Sequence, residues 1–299
     1  MLTFNRKEIT IAVPTGYKVT ITELVGKHQR ILTEGKIPEE QRFEQLLIDI
    51  IKDVDGSDWQ NKDLLGKKNI LKLMPEGDKL RILTEARQLA KSHNPTYIYS
   101  YKYKTKTGAS ITKEMKFTLI DEDNLEETID TIEKMFKDKL TDRLKERIRE
   151  LNVLGGFPCK PSLVEYATFK EFQEGADLLI DGAEIDERME TYEFAFKLMN
   201  SRLEQAAKNI PFSTHKPLLE RGLRVREKNT TDWKKVYSSD LDNFSIDAID
   251  KIRNLVSLNE PAVDSLETFD APDDHEKGVH EVQVNLLSHV NFFFPSINV

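Results

Sequence analysis

Apolar residues at every second position predict a β-hairpin at the start of the chain. Pro14-Thr15-Gly16 supplies residues that favour a tight turn, and side chains on both sides of it alternate between apolar and polar or small. The apolar members of the two predicted strands are Ile9, Ile11 and Val13, then Tyr17, Val19 and Ile21. One face of this hairpin is therefore expected to be buried.

The clearest strand signal in the chain is a run of alternating tyrosines. Tyr97, Tyr99, Tyr101 and Tyr103 alternate with Ile98, Ser100, Lys102 and Lys104. Because side chains of a strand point to opposite faces in turn, all four tyrosines are expected on one face. A polar turn at residues 105–108 and a return strand ending near Leu119 complete a second hairpin.

Apolar residues at intervals of three and four predict helices throughout the chain. In the first half, helices are expected at residues 23–33, at 39–53, from an Asp78 cap onwards, and as one long helix over 124–151. In the second half, they are expected at residues 168–175, at 185–208, and after a Ser245 cap. A final hairpin is expected between Val263 and Leu286, and the pattern makes no prediction for 210–231.

The two halves of the chain differ in charge. Residues 1–150 carry a net charge of +2 and residues 151–299 a net charge of −10, within a total of −8. Two glycines and a proline at residues 154–158 interrupt the helical pattern between them. We therefore predict two helix-rich modules, 1–154 and 155–299, each with a small antiparallel hairpin or sheet, in an α+β fold.

A long-range similarity suggests that these modules arose by internal duplication. Ala86-Arg87-Gln88-Leu89 is similar to Ile252-Arg253-Asn254-Leu255, and in each case a proline, Pro95 or Pro261, follows the arginine by eight residues. Each proline precedes a predicted hairpin, so a unit of helix, proline and hairpin occurs twice. Chance resemblance between two helix-and-hairpin segments is the alternative.

The composition argues against several classes of function. Cys159 is the single cysteine, so neither an intrachain disulfide nor a cysteine-cluster zinc site is expected. The negative net charge argues against a wholly basic nucleic-acid coat, and no apolar run approaches the ~20 residues of a membrane span. No glycine-rich phosphate loop is present, and residues 53–58 match a calcium loop poorly. We expect a protein without cofactor, metal or catalytic residues.

Two aromatic groups are the candidate partner-binding residues. The four tyrosines lie beside the lysines of a basic hairpin, although packing against a neighbouring helix is the simpler explanation for a shared tyrosine face. Phe292, Phe293, Phe294 and Pro295 lie near the end of the sequence. Exposed, three adjacent phenylalanines form an apolar patch typical of an interface; alternatively, they fold back onto their own domain.

The order of these motifs resembles the baseplate hub proteins of contractile-tailed bacteriophages of the T-even type. Residues 22–33, which begin with Thr22 and end in Ile31-Leu32-Thr33, are similar to a threonine-leading segment of that family. The helix beginning at Gly77-Asp78 is similar to the family's Gly-Asp-Arg-leading helix. The terminal Phe292 to Pro295 is similar to a Phe-Phe-aromatic-Pro ending. Many relatives carry Cys-x-x-Cys knuckles at the hairpin turns, whereas the turns here contain no cysteine.

The resemblance implies a non-enzymatic part of the tail baseplate, with the hairpins held by pairing and packing instead of zinc. The expected partners are other tail and baseplate proteins, in an assembly of three or six copies. The expected location is the virion baseplate after synthesis in the host cytoplasm. A tail assembly chaperone or scaffold absent from the mature virion is the alternative.

Overall fold

The computed structural model describes residues 5–33, 38–91, 96–175, 177–210, 213–278 and 280–288. These residues form twelve α-helices and thirteen strands, and the strands pair into small antiparallel sheets. The predicted α+β class is confirmed.

The helices range from single turns to four and a half turns. Their bounds are α1 Gly26–Thr33, α2 Glu39–Ile50, α3 Leu64–Leu73, α4 Glu76–Lys91, α5 Leu125–Phe136, α6 Asp142–Leu151, α7 Phe169–Glu174, α8 Gly182–Ile185, α9 Ser201–Ala207, α10 Lys216–Leu219, α11 Ser238–Leu241 and α12 Ile246–Asn259. Short 3₁₀ turns lie at 59–61, 137–139, 187–189 and 286–288.

The strands form five separate sheets. Their bounds are β1 Glu8–Ala12, β2 Lys18–Thr22, β3 Ile51–Val54, β4 Thr96–Lys104, β5 Ser110–Thr118, β6 Cys159–Lys160, β7 Asp177–Asp181, β8 Tyr192–Lys197, β9 Arg224–Glu227, β10 Lys234–Lys235, β11 Ala262–Val263, β12 Leu266–Asp270 and β13 Glu281–Asn285. The sheet orders are β1-β2-β3, β10-β9-β8-β7, β11-β6, β12-β13 and β4-β5.

The first predicted hairpin is present as β1 and β2, but a third strand extends it. Residues 51–53 were expected to continue the helix of 39–53, and this was wrong: α2 ends at Ile50 and the chain enters β3. β3 pairs antiparallel with β2, with Val54 opposite Val19. Ile51 and Val54 are buried, so the extended pairing places apolar side chains in the core that a further helical turn cannot place there.

The central helix α4 begins two residues before its predicted cap. Asp78 was expected to cap this helix from outside; it lies within the first turn and is fully buried. Its carboxylate accepts hydrogen bonds from the Thr15 backbone N–H (3.0 Å), the Thr15 hydroxyl (2.6 Å) and the Tyr17 hydroxyl (2.7 Å). Asp78 therefore anchors the turn of the first hairpin to α4.

The expected helix over 124–151 is two helices. α5 ends at Phe136, Lys137 adopts a left-handed φ of 48°, and the Thr141 side chain caps α6 by accepting from the Leu144 N–H. The break lets the apolar stripe fold onto itself, and Ile129, Ile132 and Phe136 of α5 pack with Leu144 and Ile148 of α6. A continuous helix holds these two groups apart along one axis.

The expected helix over 185–208 is also wrong, because its centre is strand β8. Phe194, Ala195 and Phe196 are all buried, and in the register with β7 Phe194 lies opposite Ile180 and Phe196 opposite Leu178. A strand buried on both faces carries consecutive apolar residues, and these matched a helical period by coincidence.

The main apolar core contains residues from both sides of the predicted domain boundary at 154, from Ile11 to Leu287. The two sides approach closely at the start of α4, where a Cβ added to Gly77 lies 2.5 Å from the carbonyl oxygen of Pro261. A helix followed by a hairpin does occur twice, as α4 with β4-β5 and as α12 with β12-β13. The strands differ in length, nine residues against five, and duplication stays a hypothesis.

A buried histidine joins α1 to α2. His28 is fully buried, its Nδ1 accepts from the Val25 backbone N–H at 2.9 Å, and its Nε2 lies 2.6 Å from the Asp49 carboxylate. Since Nδ1 accepts, the neutral ring carries its proton on Nε2 and donates it to Asp49. Burial lowers the pKa of His28 despite the opposing effect of Asp49.

This arrangement predicts that acid weakens the fold through His28. The pKa in the folded state lies below the unfolded value of 6.5, so the stability that the neutral ring contributes is complete above that pH and is lost as the pH falls below it. Thermal unfolding of the wild type and of His28→Gln between about pH 7.5 and pH 5 is the measurement. We expect the stability advantage of the wild type to shrink as the pH falls; a constant difference contradicts the assignment.

Candidate protein-docking surface

The tyrosine-rich hairpin forms as predicted. β4 pairs with β5 over nine residues, from Thr96 opposite Thr118 to Lys104 opposite Ser110. Tyr97 is buried and Tyr99, Tyr101 and Tyr103 are partly buried, whereas Ile98, Ser100, Lys102 and Lys104 are exposed. The alternation therefore places the four tyrosines on one inner face.

That inner face packs against the final hairpin, β12-β13, where a neighbouring helix was expected. The ring of Tyr101 meets Phe269 of β12 edge to face, with centroids 5.2 Å apart, and Phe117 of β5 lies 6.1 Å from the same phenylalanine. Phe117, Phe269 and Val284 are all buried in the main core. The basic and acidic hairpins thus form one unit, which we call the paired hairpins (residues 96–118 and 266–285).

Hydrogen bonds join the tips of the two hairpins. The Glu276 N–H donates to the Lys104 carbonyl (2.9 Å), and the Lys106 N–H donates to the Asp274 carbonyl (2.8 Å). The Tyr103 hydroxyl donates to the Asp274 carboxylate at 3.0 Å, and the Lys106 ammonium donates to the Asp273 carbonyl at 2.9 Å. The basic tip of one hairpin therefore binds the acidic loop of the other.

His275 closes this junction. Its ring is stacked nearly parallel to Tyr101 and Tyr103, with interplanar angles of 13° and 11°, and it is only 7% exposed. Nε2 lies 2.9 Å from the Tyr101 hydroxyl, and Nδ1 accepts from the Lys277 backbone N–H at 3.1 Å. The ring is used for packing and local hydrogen bonding.

The tyrosines act here as neutral groups. Burial raises the pKa of Tyr97 to about 12, with a further rise from Tyr99, and burial also raises the pKa of Tyr99 and of Tyr101. These phenols stay protonated at neutral pH and serve as rings and hydroxyl groups. Their rings lie on the inner face of the paired hairpins, where Tyr97 is buried and Tyr99, Tyr101 and Tyr103 are partly buried.

The outer surface of the paired hairpins is the candidate docking surface, because their inner faces are covered. Ile98 is 55% exposed and Leu266 is 52% exposed, and both belong to strands of two-stranded sheets. In the part of the chain that the structure describes, each of these strands has one neighbouring strand, and residues 274–276 bind the other edge of β4 only at its Lys104 end. An open edge accepts a further strand, and lysine on an edge deters unspecific pairing. A partner with acidic side chains therefore suits the edges beside Lys102 and Lys116.

The second group of predicted contact residues, Phe292, Phe293, Phe294 and Pro295, lies outside the described residues, as does Pro95 of the proposed repeat.

The sequence patterns did not predict Phe269, Asp274 and His275 as partners of the tyrosines. The opposite charges of residues 102–106 and 273–276 were the available signal.

The remaining candidates for chemistry have structural roles. Cys159 is fully buried, and burial raises the pKa of its thiol to about 12, which keeps the thiol protonated at neutral pH. Residues 177–187 are rich in acidic side chains, and the three aspartates among them form ion pairs: Asp177 with Arg224, Asp181 with Lys228 and Asp186 with Arg188. Asp181 and Asp186 also accept hydrogen bonds from the backbone N–H groups of Ala183 and Arg188, as expected of acids at helix starts.

The described residues contain neither a cluster of metal ligands nor a membrane-spanning helix. Within the described ranges, no three side chains of histidine, cysteine, aspartate or glutamate are grouped as metal ligands. None of the helices in the described part of the chain combines the length and apolar character that crossing a bilayer requires. Comparison of the chain with models of protein families, with curated proteins and with solved structures finds no match.

Proposed function

We propose that this chain is a non-enzymatic structural component of a bacteriophage tail, located in the baseplate hub of a contractile-tailed phage and acting through protein contacts. The observation that carries the proposal is the paired hairpins. The sheets β4-β5 and β12-β13 pack against each other through their inner faces. Their outer faces and unpaired edges are exposed to solvent. The family resemblance of the sequence supports the assignment to the hub.

The inner and outer faces of the paired hairpins have different roles in this function. The buried rings hold the two sheets together, and the exposed lysines with Ile98 and Leu266 meet neighbouring tail proteins. Strand addition supplies backbone hydrogen bonds, and the side chains on the outer face select the partner. In an assembly of three or six copies, each chain presents two sheet surfaces to the ring.

Mass spectrometry of purified phage particles tests the location. The hub proposal expects the chain in intact particles, at a copy number that is a multiple of three. An assembly chaperone or scaffold is instead present in infected cells and absent from finished particles. A chain found in neither particles nor assembly intermediates contradicts both.

Reversing charge on the outer face tests the contact surface. We expect Lys102→Glu with Lys116→Glu to reduce the recovery of tail proteins that co-purify with the tagged chain from infected cells, because both lysines are exposed on the hairpin's outer face. Lys72→Glu with Lys234→Glu is the matched control, since it changes the net charge equally at exposed positions on other elements.

Circular dichroism of both double variants establishes that they fold. Equal recovery of partners with the two variants contradicts the proposed surface. That result does not bear on whether the chain is in the phage particle, because the mass spectrometry tests the location separately.

A further inference from the structure

Strand β5 (Ser110–Thr118) has one edge that no other described strand pairs with. It pairs with β4 along its other edge, in one register from end to end. At the turn, the Thr105 N–H donates to the Ala109 carbonyl, so the hydrogen-bonded pairs of this hairpin are the odd-numbered ones. The backbone groups of the even-numbered residues of β5 therefore point to the open edge. The side chains of the same residues lie on the exposed outer face.

Two opposite charges lie on the outer face of this strand. Glu114 and Lys116 are exposed, and neither forms an ion pair or a hydrogen bond with another described residue. Their opposite neighbours on β4 are Ser100 and Ile98, which carry no charge. Both charged groups are therefore available to a strand that adds to the open edge.

A second copy of this strand is complementary to the first. In an antiparallel pair with two-fold symmetry, the backbone pattern of β5 requires even-numbered residues to lie opposite even-numbered residues. When Met115 lies opposite Met115 of the second copy, Glu114 of each chain lies opposite Lys116 of the other. Opposed even-numbered residues then exchange both of their backbone hydrogen bonds, and two ion pairs form across the junction.

The same charges disfavour the neighbouring registers. A shift of the partner in one direction places Glu114 opposite its own copy, and a further shift places Lys113 opposite its own copy. A shift in the other direction does the same for Lys116. Like charges directly opposite each other are destabilising. The charges of β5 therefore select one register and discourage unspecific pairing.

We propose that two copies of the chain associate through their β5 edges, with Met115 at the two-fold axis and Glu114 paired with Lys116 of the second copy. The two hairpins then form one four-stranded antiparallel sheet in the order β4-β5-β5-β4. This association rests on the proposed docking role of the paired hairpins and names the partner at one edge. It favours six copies over three in the assembly, because three chains cannot all associate in pairs.

Charge exchange in the purified protein tests the ion pairs. In sedimentation velocity, we expect the wild type to show a monomer–dimer equilibrium with a micromolar Kd, since two short strands bury less area than a standard interface. Lys116→Glu places two glutamates opposite each other at both sites, and we expect Kd to rise about tenfold or more. Glu114→Lys with Lys116→Glu restores opposite charges, and we expect Kd to return to within about threefold of the wild type.

Lys102→Glu is the matched control for Lys116→Glu. Lys102 is exposed on the same outer face but belongs to β4, so its reversal is expected to leave Kd unchanged. Circular dichroism establishes that each variant folds. A wild type that stays monomeric at all concentrations overturns the inference. A folded double variant that dimerises no better than Lys116→Glu overturns it as well.

A cysteine at the symmetry axis tests the register. Residues of a non-hydrogen-bonded antiparallel pair have Cα atoms about 4.5 Å apart, which is within disulfide range. We therefore expect Met115→Cys to form a disulfide-linked dimer with oxidised glutathione, whereas native Cys159 is fully buried. Lys113→Cys is the control, because the two copies of this residue lie roughly 13 Å apart along the strands in the proposed register.

Non-reducing electrophoresis distinguishes the outcomes. A linked dimer in Met115→Cys, with little in Lys113→Cys, supports the inference. A linked dimer mainly in Lys113→Cys overturns the register, and absence of a dimer in both variants overturns the association. These measurements use the purified chain alone, so a negative result leaves the recovery of tail proteins and the particle mass spectrometry as separate tests of the proposed function.

Discussion

Asp78→Ala is expected to destabilise the protein by about 3 kcal/mol or more, because it leaves three buried donors without an acceptor, each at a cost of roughly 1–3 kcal/mol. The donors are the backbone N–H and hydroxyl of Thr15 and the hydroxyl of Tyr17, and both residues are fully buried. Denaturant unfolding measures the loss. Asp130→Ala, at an exposed position of α5, is expected to change stability by less than about 0.5 kcal/mol.

Asp78→Asn separates the hydrogen bonds from the charge. Burial raises the pKa of Asp78 to about 6, although the hydrogen bonds from Thr15 and Tyr17 oppose the shift. The folded pKa lies above the unfolded value of 3.8, so this contribution to stability is complete below pH 3.8 and is lost as the pH rises through about 6.

The amide does not titrate, so the stability of the wild type relative to Asp78→Asn is expected to fall between pH 4 and pH 7, by on the order of 3 kcal/mol. A difference that does not vary with pH shows that Asp78 is ionised throughout that range.

Phe269→Ala is expected to cost about 3–5 kcal/mol, the range for removing a buried phenylalanine ring. The lost stability is concentrated at the junction of the two hairpins, because Phe269 packs against both Tyr101 and Phe117 of the tyrosine hairpin. We therefore expect the paired hairpins to separate before the rest of the chain unfolds. Hydrogen exchange followed by mass spectrometry measures this as faster exchange in residues 96–118 and 266–285.

Leu266→Ala is the matched control in the same strand, since Leu266 is 52% exposed and little is lost when it is shortened. Unchanged protection of the tyrosine hairpin in Phe269→Ala contradicts the packing described here. If the paired hairpins are the docking surface, the variant also loses tail proteins on co-purification while its other sheets stay protected.

Asp78 and Phe269 each connect distant segments of the chain, one through hydrogen bonds and the other through apolar packing. Asp78 holds the first hairpin to the central helix through hydrogen bonds to a buried carboxylate. Phe269 holds the tyrosine hairpin and the final hairpin together through ring packing. Either loss removes a contact between segments that are more than 60 residues apart in the chain.

Local patterns were sufficient to predict the hairpins and the capped helix. The period of two around residues 97–104 placed four tyrosines on one face, and Ser245 caps α12 as expected, accepting from the Ala248 N–H. These features depend on neighbours within about four residues along the chain, and the sequence displays such neighbours directly.

Local patterns failed where a segment is buried on all sides. Residues 192–197 matched a helical period, but Phe194 and Phe196 are the inward residues of a strand covered on both faces. The break at Lys137 was equally hidden, because the apolar stripe continues across it and only its folding onto α6 shows why the helix ends there. In both cases burial by distant residues outweighs local preference.

The candidate surface shows the same division. The sequence by itself determined that the tyrosines share a face, that the neighbouring lysines point the other way, and that the later loop is acidic. Only the tertiary structure decided that the tyrosine face is covered by Phe269 and His275, about 170 positions further along the chain. The alternation of side chains is a property of the backbone of one strand, whereas the choice of what covers a face depends on the free energy of packing the whole chain.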